Sequence, residues 1–368
     1  MSQSADGANR SPLLKSHLNA GAQVVRCDGW EVPLHYGDPE NECLRLHQRA
    51  GVIDLTPVGR IRVRGDGGLG LLDRLCSADV ARQEDNTAMR SLLLNESGGV
   101  IDLVTVLRLD DWWVVNCSPP RRQAVLEHLQ AHAEDGEAKV DDQTFKTCTL
   151  AVIGPMGAEI LDRFLPEKVS SLQAGDVRTG SMLIARYIAA RTGPTDLWSL
   201  EVTLPNMLAG QAWKYVTAKA GDNALTPAGI NAAEVLRIEA CLPRWSNEFD
   251  ENIDPISAGL SRHICFDKDF LGARAVAAMR ETGGPTRRIA WAIEQAGGAA
   301  PSAEIAPGDR LLAPGGEEIG KVTSAARSPV TRTWLGQARA TVLLGEGSTF
   351  SIETRKGQQV LATVAEVF

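Results

Sequence analysis

Aromatic side chains are scarce in this chain, making up 5% of its 368 residues, with only three tyrosines. Few walls are therefore on offer for a ligand held by stacking alone, and every Tyr and Trp gains weight as a candidate. Long apolar runs are missing too. Nothing approaches the roughly 20 apolar residues of a spanning helix, and the opening MSQSADGANRSPLLKSHL lacks the apolar centre of a secretory signal. The expectation is a cytoplasmic protein with no membrane partner. An excess of positive charge is absent as well, since the formal net charge is −8, which speaks against a polyanion and hence against nucleic acid. The seven cysteines are odd in number, scattered and without a CxxC pair, so they imply neither a disulfide framework nor a zinc site. No HExxH or HxH pattern occurs among the six histidines, and metal catalysis has no visible ligand set.

What is present is an ordinary globular composition, 43% apolar, over a length that one core rarely serves. The polar residues 1–12 read as a disordered tail. Strands and helices then mix irregularly through 13–145 and 146–283, without strict βαβα alternation, which points to an α+β region of two interleaved subdomains. Helices are expected at 41–50, 67–75, 121–133, 157–164, 210–220 and 228–239. Strands are expected at 53–55, 60–64, 91–94, 104–109, 111–115, 147–153, 182–190 and 197–204. After Gly283-Gly284-Pro285, short strands between turn residues fill 284–368 and predict a small C-terminal β-barrel.

Four stretches carry candidate chemistry. In Asn95-Glu96-Ser97-Gly98-Gly99-Val100-Ile101-Asp102 the glycines suit a tight hairpin, and Asp102 stands where a strand begins. It is either a reactive carboxylate or an aspartate that caps its own turn. Trp30 to Gly37 sets Tyr36 and His35 beside a Trp, as core or as the wall of a flat ligand. Glu201, among apolar neighbours, needs donors, either a ligand's paired N–H groups or a nearby cation such as Arg191. Glu234 and Arg237 are one helical turn apart, a spacing that also fits a solvated pair. The long segment 243–255 reads as a cover over a cleft.

The order GW.VPLHYGD, AGVID, NESGGVID, WVVN, IGP, RTG.T....EV, LRIEA, DKDFLGARA and IGKVTSAARSP, running from about Leu13 to the C-terminus, resembles the glycine-cleavage T-protein (aminomethyltransferase) family. The resemblance implies a three-domain α+β fold with a central tetrahydrofolate channel. It also implies transfer of a one-carbon unit, aminomethyl or methyl, to that cofactor from a small-molecule donor or the lipoyl arm of a carrier protein. By the same resemblance Asp102 is the catalytic carboxylate, and Glu201 grips the pterin edge. Asn116 and Arg237 match family positions, and Tyr36 lies in the matching GW.VPLHYGD stretch, so all three join the folate-binding set.

Several positions depart from the family pattern. The usual GGVIDD has Leu103 at its second acidic place, an aromatic before the hairpin is replaced by Arg90, and the TGYTGEDGFE loop has lost its tyrosine. At roughly 1–3 kcal/mol for each lost buried contact, folate would be held less tightly. Arg90 would keep Asp102 ionised and recognise an anionic substrate. Two further readings stay open: a folate-binding regulatory or assembly relative without catalysis, and a scaffold of the same fold that has lost folate.

Overall fold

The structure, a computed structural model, describes residues 7–133, 137–163, 165, 167–182, 185–193, 195–217, 225–293, 303–341 and 344–368. The chain divides into two compact units, residues 1–91 with 103–233, and residues 92–102 with 234–368. The mixed α+β architecture and the C-terminal barrel agree with the reading of the sequence.

In the first unit a six-stranded sheet runs in the order Val177–Met182, Ala185–Ala190, Ser199–Pro205, Thr147–Ile153, Gly51–Asp54, Thr226–Pro227. A five-stranded sheet has the order Ala88–Leu94, Val100–Leu109, Trp112–Cys117, Gly59–Arg64, Lys139–Asp142. The strand expected at 182–190 is Ala185–Ala190, paired antiparallel with a strand Val177–Met182 that was not expected. The helix Pro39–Gln48 starts where Asp38 accepts from the Asn41 amide at 3.1 Å and Pro39 presets the first turn. The positive φ of Gly154 and the 2.5–2.6 Å at which a Cβ would meet the Arg49 and Leu46 carbonyls leave room for glycine only. Val52, Leu150, Val152 and Leu200 pack with Tyr187 and Trp213 into the core of this unit.

One sequence expectation needs correction here. Residues 1–6 lie outside the described residues, but Asn9–Arg10 is ordered as a strand, not a loose tail. It pairs in parallel with Trp30–Glu31, and the Arg10–Glu31 ion pair at 2.6 Å supports the ladder. Trp30–His35 is a strand of the same small sheet, joined on its other side by Gln23–Cys27, and Trp30 is buried.

The second unit contains a closed barrel of six strands in the order Arg287–Ala292, Trp334–Ala340, Glu318–Arg327, Arg310–Leu312, Thr349–Glu353, Gln359–Val367. Ile289, Trp291, Phe350 and Ile352 fill it. Gly336 admits the Trp291 ring, since a Cβ there would lie 2.5 Å from it. The helix Ala273–Thr282 was not anticipated. Among the described residues no helix is long and apolar enough to cross a membrane.

A buried chain of hydrogen bonds ties the start of the first unit to its sheet. Ser11 Oγ donates to Asp54 Oδ2 at 2.5 Å, His17 Nε2 lies 2.9 Å from the same oxygen, and the Thr56 amide donates to Oδ1 at 2.9 Å. With Nε2 donating to the carboxylate, His17 Nδ1 is free to accept from the Tyr36 hydroxyl at 2.8 Å. Burial works to raise the Asp54 pKa, but His17, Ser11 and Thr56 together hold it below the usual carboxylate range. A depressed carboxylate stabilises the fold above its unfolded pKa of about 3.9, and that contribution is lost as pH falls through the lower folded value. The urea midpoint of the native chain should therefore drop as pH falls below about 4. Asp54→Asn should unfold about 2 kcal/mol more easily at pH 7, with a flatter acid limb.

Candidate functional site

Two sheets of the first unit face one another. Leu107, Leu109 and Val114 of the five-stranded sheet pack on Val177 and Ala190 of the other. Beside this contact lies a cavity of about 600 Å³, whose lining includes Arg62, Trp112, Asn116, Gln143, Arg186 and Thr203. Register and alternation order its walls. Arg60 is opposite Asn116, Arg62 opposite Val114, and Arg64 opposite Trp112, so the wall steps from Asn116 towards an arginine and a tryptophan. On the facing sheet Glu201 pairs with Ala190, which looks into the contact, and Thr203 two residues on lines the cavity. Glu201 thus shares the cleft-facing side of its strand.

Arg60, only 2% exposed, sits at the base of this region. Its Nε donates to Thr147 Oγ1 at 2.8 Å, and its two Nη groups donate to the carbonyls of Thr56, Val58, Thr144 and Thr147 at 2.6–3.2 Å. Burial lowers its pKa to about 10. Its donors being engaged, Arg60 acts on Glu201 as a fixed charge. Desolvation raises the Glu201 pKa, with the Thr192 hydroxyl and the charges of Arg90 and Arg60 opposing it. Arg90 also donates to the Gly193 carbonyl at 3.2 Å. The alternative partner Arg191 is occupied elsewhere, donating to the Ser199 carbonyl at 2.5 Å and stacking over Trp198 at 4.8 Å. A carboxylate made costly by burial, with cations near but no saturating ion pair from Arg191, is suited to a ligand that brings N–H donors.

The remaining predicted residues have other settings. Asp102 belongs to the second unit and is fully buried. Along Val100–Leu109 it takes the side of Val104 and Val106, both fully buried, whereas Leu103, Thr105 and Leu107 take the other. Thr105 pairs with Asn116 and Leu107 lines the cavity, and Leu103 shares their side of the strand. The turn before it is firmly built, since Asn95 Oδ1 accepts from Ser97 and Gly99 and a Cβ on Gly99 would lie 2.3 Å from the Glu251 carbonyl.

Arg237, expected to bind a ligand, has every N–H engaged within the second unit. It grips Glu234 through two bonds of 2.9 and 2.6 Å and donates to Leu242 O, Glu248 Oε2 and Ser324 Oγ. The same network anchors the segment 243–255, because Glu248 is buried and bonded to Ser324 of a barrel strand. Tyr36 is also committed to structure, with its hydroxyl on His17 and its ring stacked on Trp213. Burial, then Asp54 and Glu42, raise its pKa. Sequence reasoning missed Arg60, Arg62 and Gln143. The alternating arginines of Gly59–Arg64 were the available signal, since period-two charge on a strand marks one polar face.

Residues 13–268 match the GCVT N-terminal domain, and residues 297–367 match the glycine cleavage T-protein C-terminal barrel domain. The chain belongs to the glycine-cleavage T-protein family. An aminomethyltransferase of Rubrobacter xylanophilus is 31% identical over 331 residues, covering 89% of this chain and 86% of that protein. One from Alcanivorax borkumensis is 30% identical over 371 residues, covering 98% and 97%. The crystal structure of the glycine cleavage system aminomethyltransferase T of Bartonella henselae superposes with a TM-score of 0.87 at 25% identity, covering 97% of each chain.

The raised Glu201 pKa has a consequence for stability in this T-protein relative. A carboxylate whose folded pKa lies above its unfolded value contributes stability at low pH that is lost as pH rises through the folded value. Glu201 therefore burdens the fold at neutral pH. Glu201→Gln should raise the Tm by a few degrees at pH 7, with the advantage shrinking as pH falls through the raised folded value and gone below about pH 4 in thermal scans.

Proposed function

We propose that the chain is a tetrahydrofolate-dependent one-carbon transferase of the T-protein type. The observation that carries this reading is Glu201, desolvated on the cleft-facing side of its strand with its pKa raised, in a position to take the paired N–H groups of a pterin edge. Asn116, on the opposite wall, has a buried Oδ1 with no partner, which fits a further polar contact to the same ligand. Arg90 supplies positive charge beside Glu201. The names of the aminomethyltransferase relatives support the reaction class, and with it a one-carbon donor that is a small molecule or the lipoyl arm of a carrier protein. Tetrahydrofolate, when bound, supplies the nucleophilic amines that accept the unit. The chain's own part is to hold the pterin, exclude water and fix the acceptor's orientation.

Leu103 favours a second reading, folate binding without aminomethyl transfer. An alkyl group stands on the cleft side of the strand, where a carboxylate would stabilise positive charge developing on the one-carbon unit. The two readings share the cofactor and differ in turnover.

Titration of the full chain with tetrahydrofolate under anaerobic conditions should show micromolar binding, weakened at least 100-fold by Glu201→Ala. Absence of binding to the wild type up to millimolar concentration would sink both readings. Asp102→Asn should keep folate affinity within about tenfold, because the change keeps size and removes only charge. A measured rate with an aminomethyl-lipoyl carrier that is unaffected by this substitution removes Asp102 from the chemistry. A rate that collapses restores it.

A further inference from the structure

The helix Arg122–Ala131 carries His128 in its last turn, and His132 is the residue that stops it. Residues four apart on a helix share a face, and the two imidazoles meet there with ring centroids 4.8 Å apart and planes tilted by 55°. That spacing is the one a shared metal ion would impose. An imidazole nitrogen about 2.0–2.1 Å from a metal puts its ring centroid roughly 3.2 Å from the ion, so two rings on one ion lie roughly 4.5–5.2 Å apart for angles between about 90° and 109°.

Each ring also has a bare nitrogen to offer. His132 Nδ1 lies 2.8 Å from the His128 carbonyl oxygen, which can only accept, so Nδ1 carries the proton and Nε2 keeps a lone pair. Metal-binding histidines are held in this way, with the second ring nitrogen donating to a carbonyl. His128 Nε2 is buried and has no hydrogen-bond partner. A proton on it would be a buried donor with nothing to receive it, so the neutral ring keeps its proton on Nδ1 and leaves Nε2 bare. Burial, and next the neighbouring His132, lower the His128 pKa to about 4, so the ring is neutral at neutral pH. The backbone around the pair is anchored, since Arg74 Nη2 donates to the His132 carbonyl at 2.7 Å and Gln130 Nε2 to the Val140 carbonyl at 3.4 Å.

We infer that His128 and His132 form a site for a first-row transition-metal ion of the zinc or nickel kind, bound through the two Nε2 atoms and completed by water. Imidazole nitrogen suits these ions, whereas magnesium and calcium take oxygen ligands. Two histidines four residues apart on one helical face are also the spacing from which helical zinc sites are built. Bound there, the ion clamps the last turn of the helix to the residue that ends it. Neither histidine lines the cavity between the sheets, and the inference does not rest on the folate reading.

The test is calorimetric titration of the full chain, freed of metal by chelation, with zinc, nickel and magnesium chloride at neutral pH. Zinc and nickel should bind saturably and raise the Tm, and magnesium should not bind. His132→Asn, at the half-exposed end of the helix, and His128→Asn should each weaken zinc binding about tenfold or more and remove the rise in Tm. His263→Asn, in the second unit, should change neither. If His128→Asn fails to fold, His132→Asn decides alone. Zinc binding undiminished by His132→Asn would overturn the inference, and so would a loss of equal size in His263→Asn. No zinc binding up to millimolar concentration, or magnesium bound as tightly as zinc, would overturn it as well.

Discussion

The first unit depends on one guanidinium. The chain passes between its two large sheets at residues 55–58 and again at 143–146, and Arg60 donates to carbonyls at both crossings. Carbonyls in irregular segments that are shut off from water are expensive to leave unpaired, and no neutral side chain of similar length offers five donors in a planar fork. Arg60 therefore does by geometry what a continuous strand cannot, holding two non-repetitive connections in register. It also fixes a positive charge at the base of the cleft, and Glu201 lies within its field.

Electrostatics in the cleft are set by burial and by which residues alternate inward. Glu201 faces inward and is costly there, so the site is primed for a ligand that satisfies it. Arginine replaces an aromatic at position 90 and leucine an acid at position 103, and both changes follow from sequence. Their meaning does not, because it depends on the direction each side chain takes. Leu103 matters because it shares the side of Thr105 and Leu107, and Arg90 because its charge bears on Glu201.

Much of the fold was legible in the sequence because the C-terminal strands are short, alternating and bounded by turn residues. All six barrel strands, from Arg287–Ala292 to Gln359–Val367, fall within 284–368, where short strands were expected. The ordered strand at Asn9–Arg10 was not legible, since two polar residues carry no periodicity and owe their order to pairing with Trp30–Glu31. At the site, Glu201 could be singled out because a carboxylate in an apolar strand is anomalous by itself. For Asp102 the motif fixes a sequence position, whereas the side it takes is set by strand alternation. The internal partners of Arg237 and Tyr36 were not legible, because Ser324 and Glu248, or His17, lie far away in the chain.

The hairpin turn at Gly98 packs against Ala275, Val276 and Met279 of the helix Ala273–Thr282, and the segment 92–102 is counted with the second unit. During synthesis the turn leaves the ribosome long before that helix does, with most of the first unit translated in between. A strongly apolar strand, Val100–Leu109, thus begins at a turn whose packing partner does not yet exist. Contacts of such separation form late and leave apolar surface exposed meanwhile, so this hairpin is where a nascent chain of this kind has most need of a chaperone.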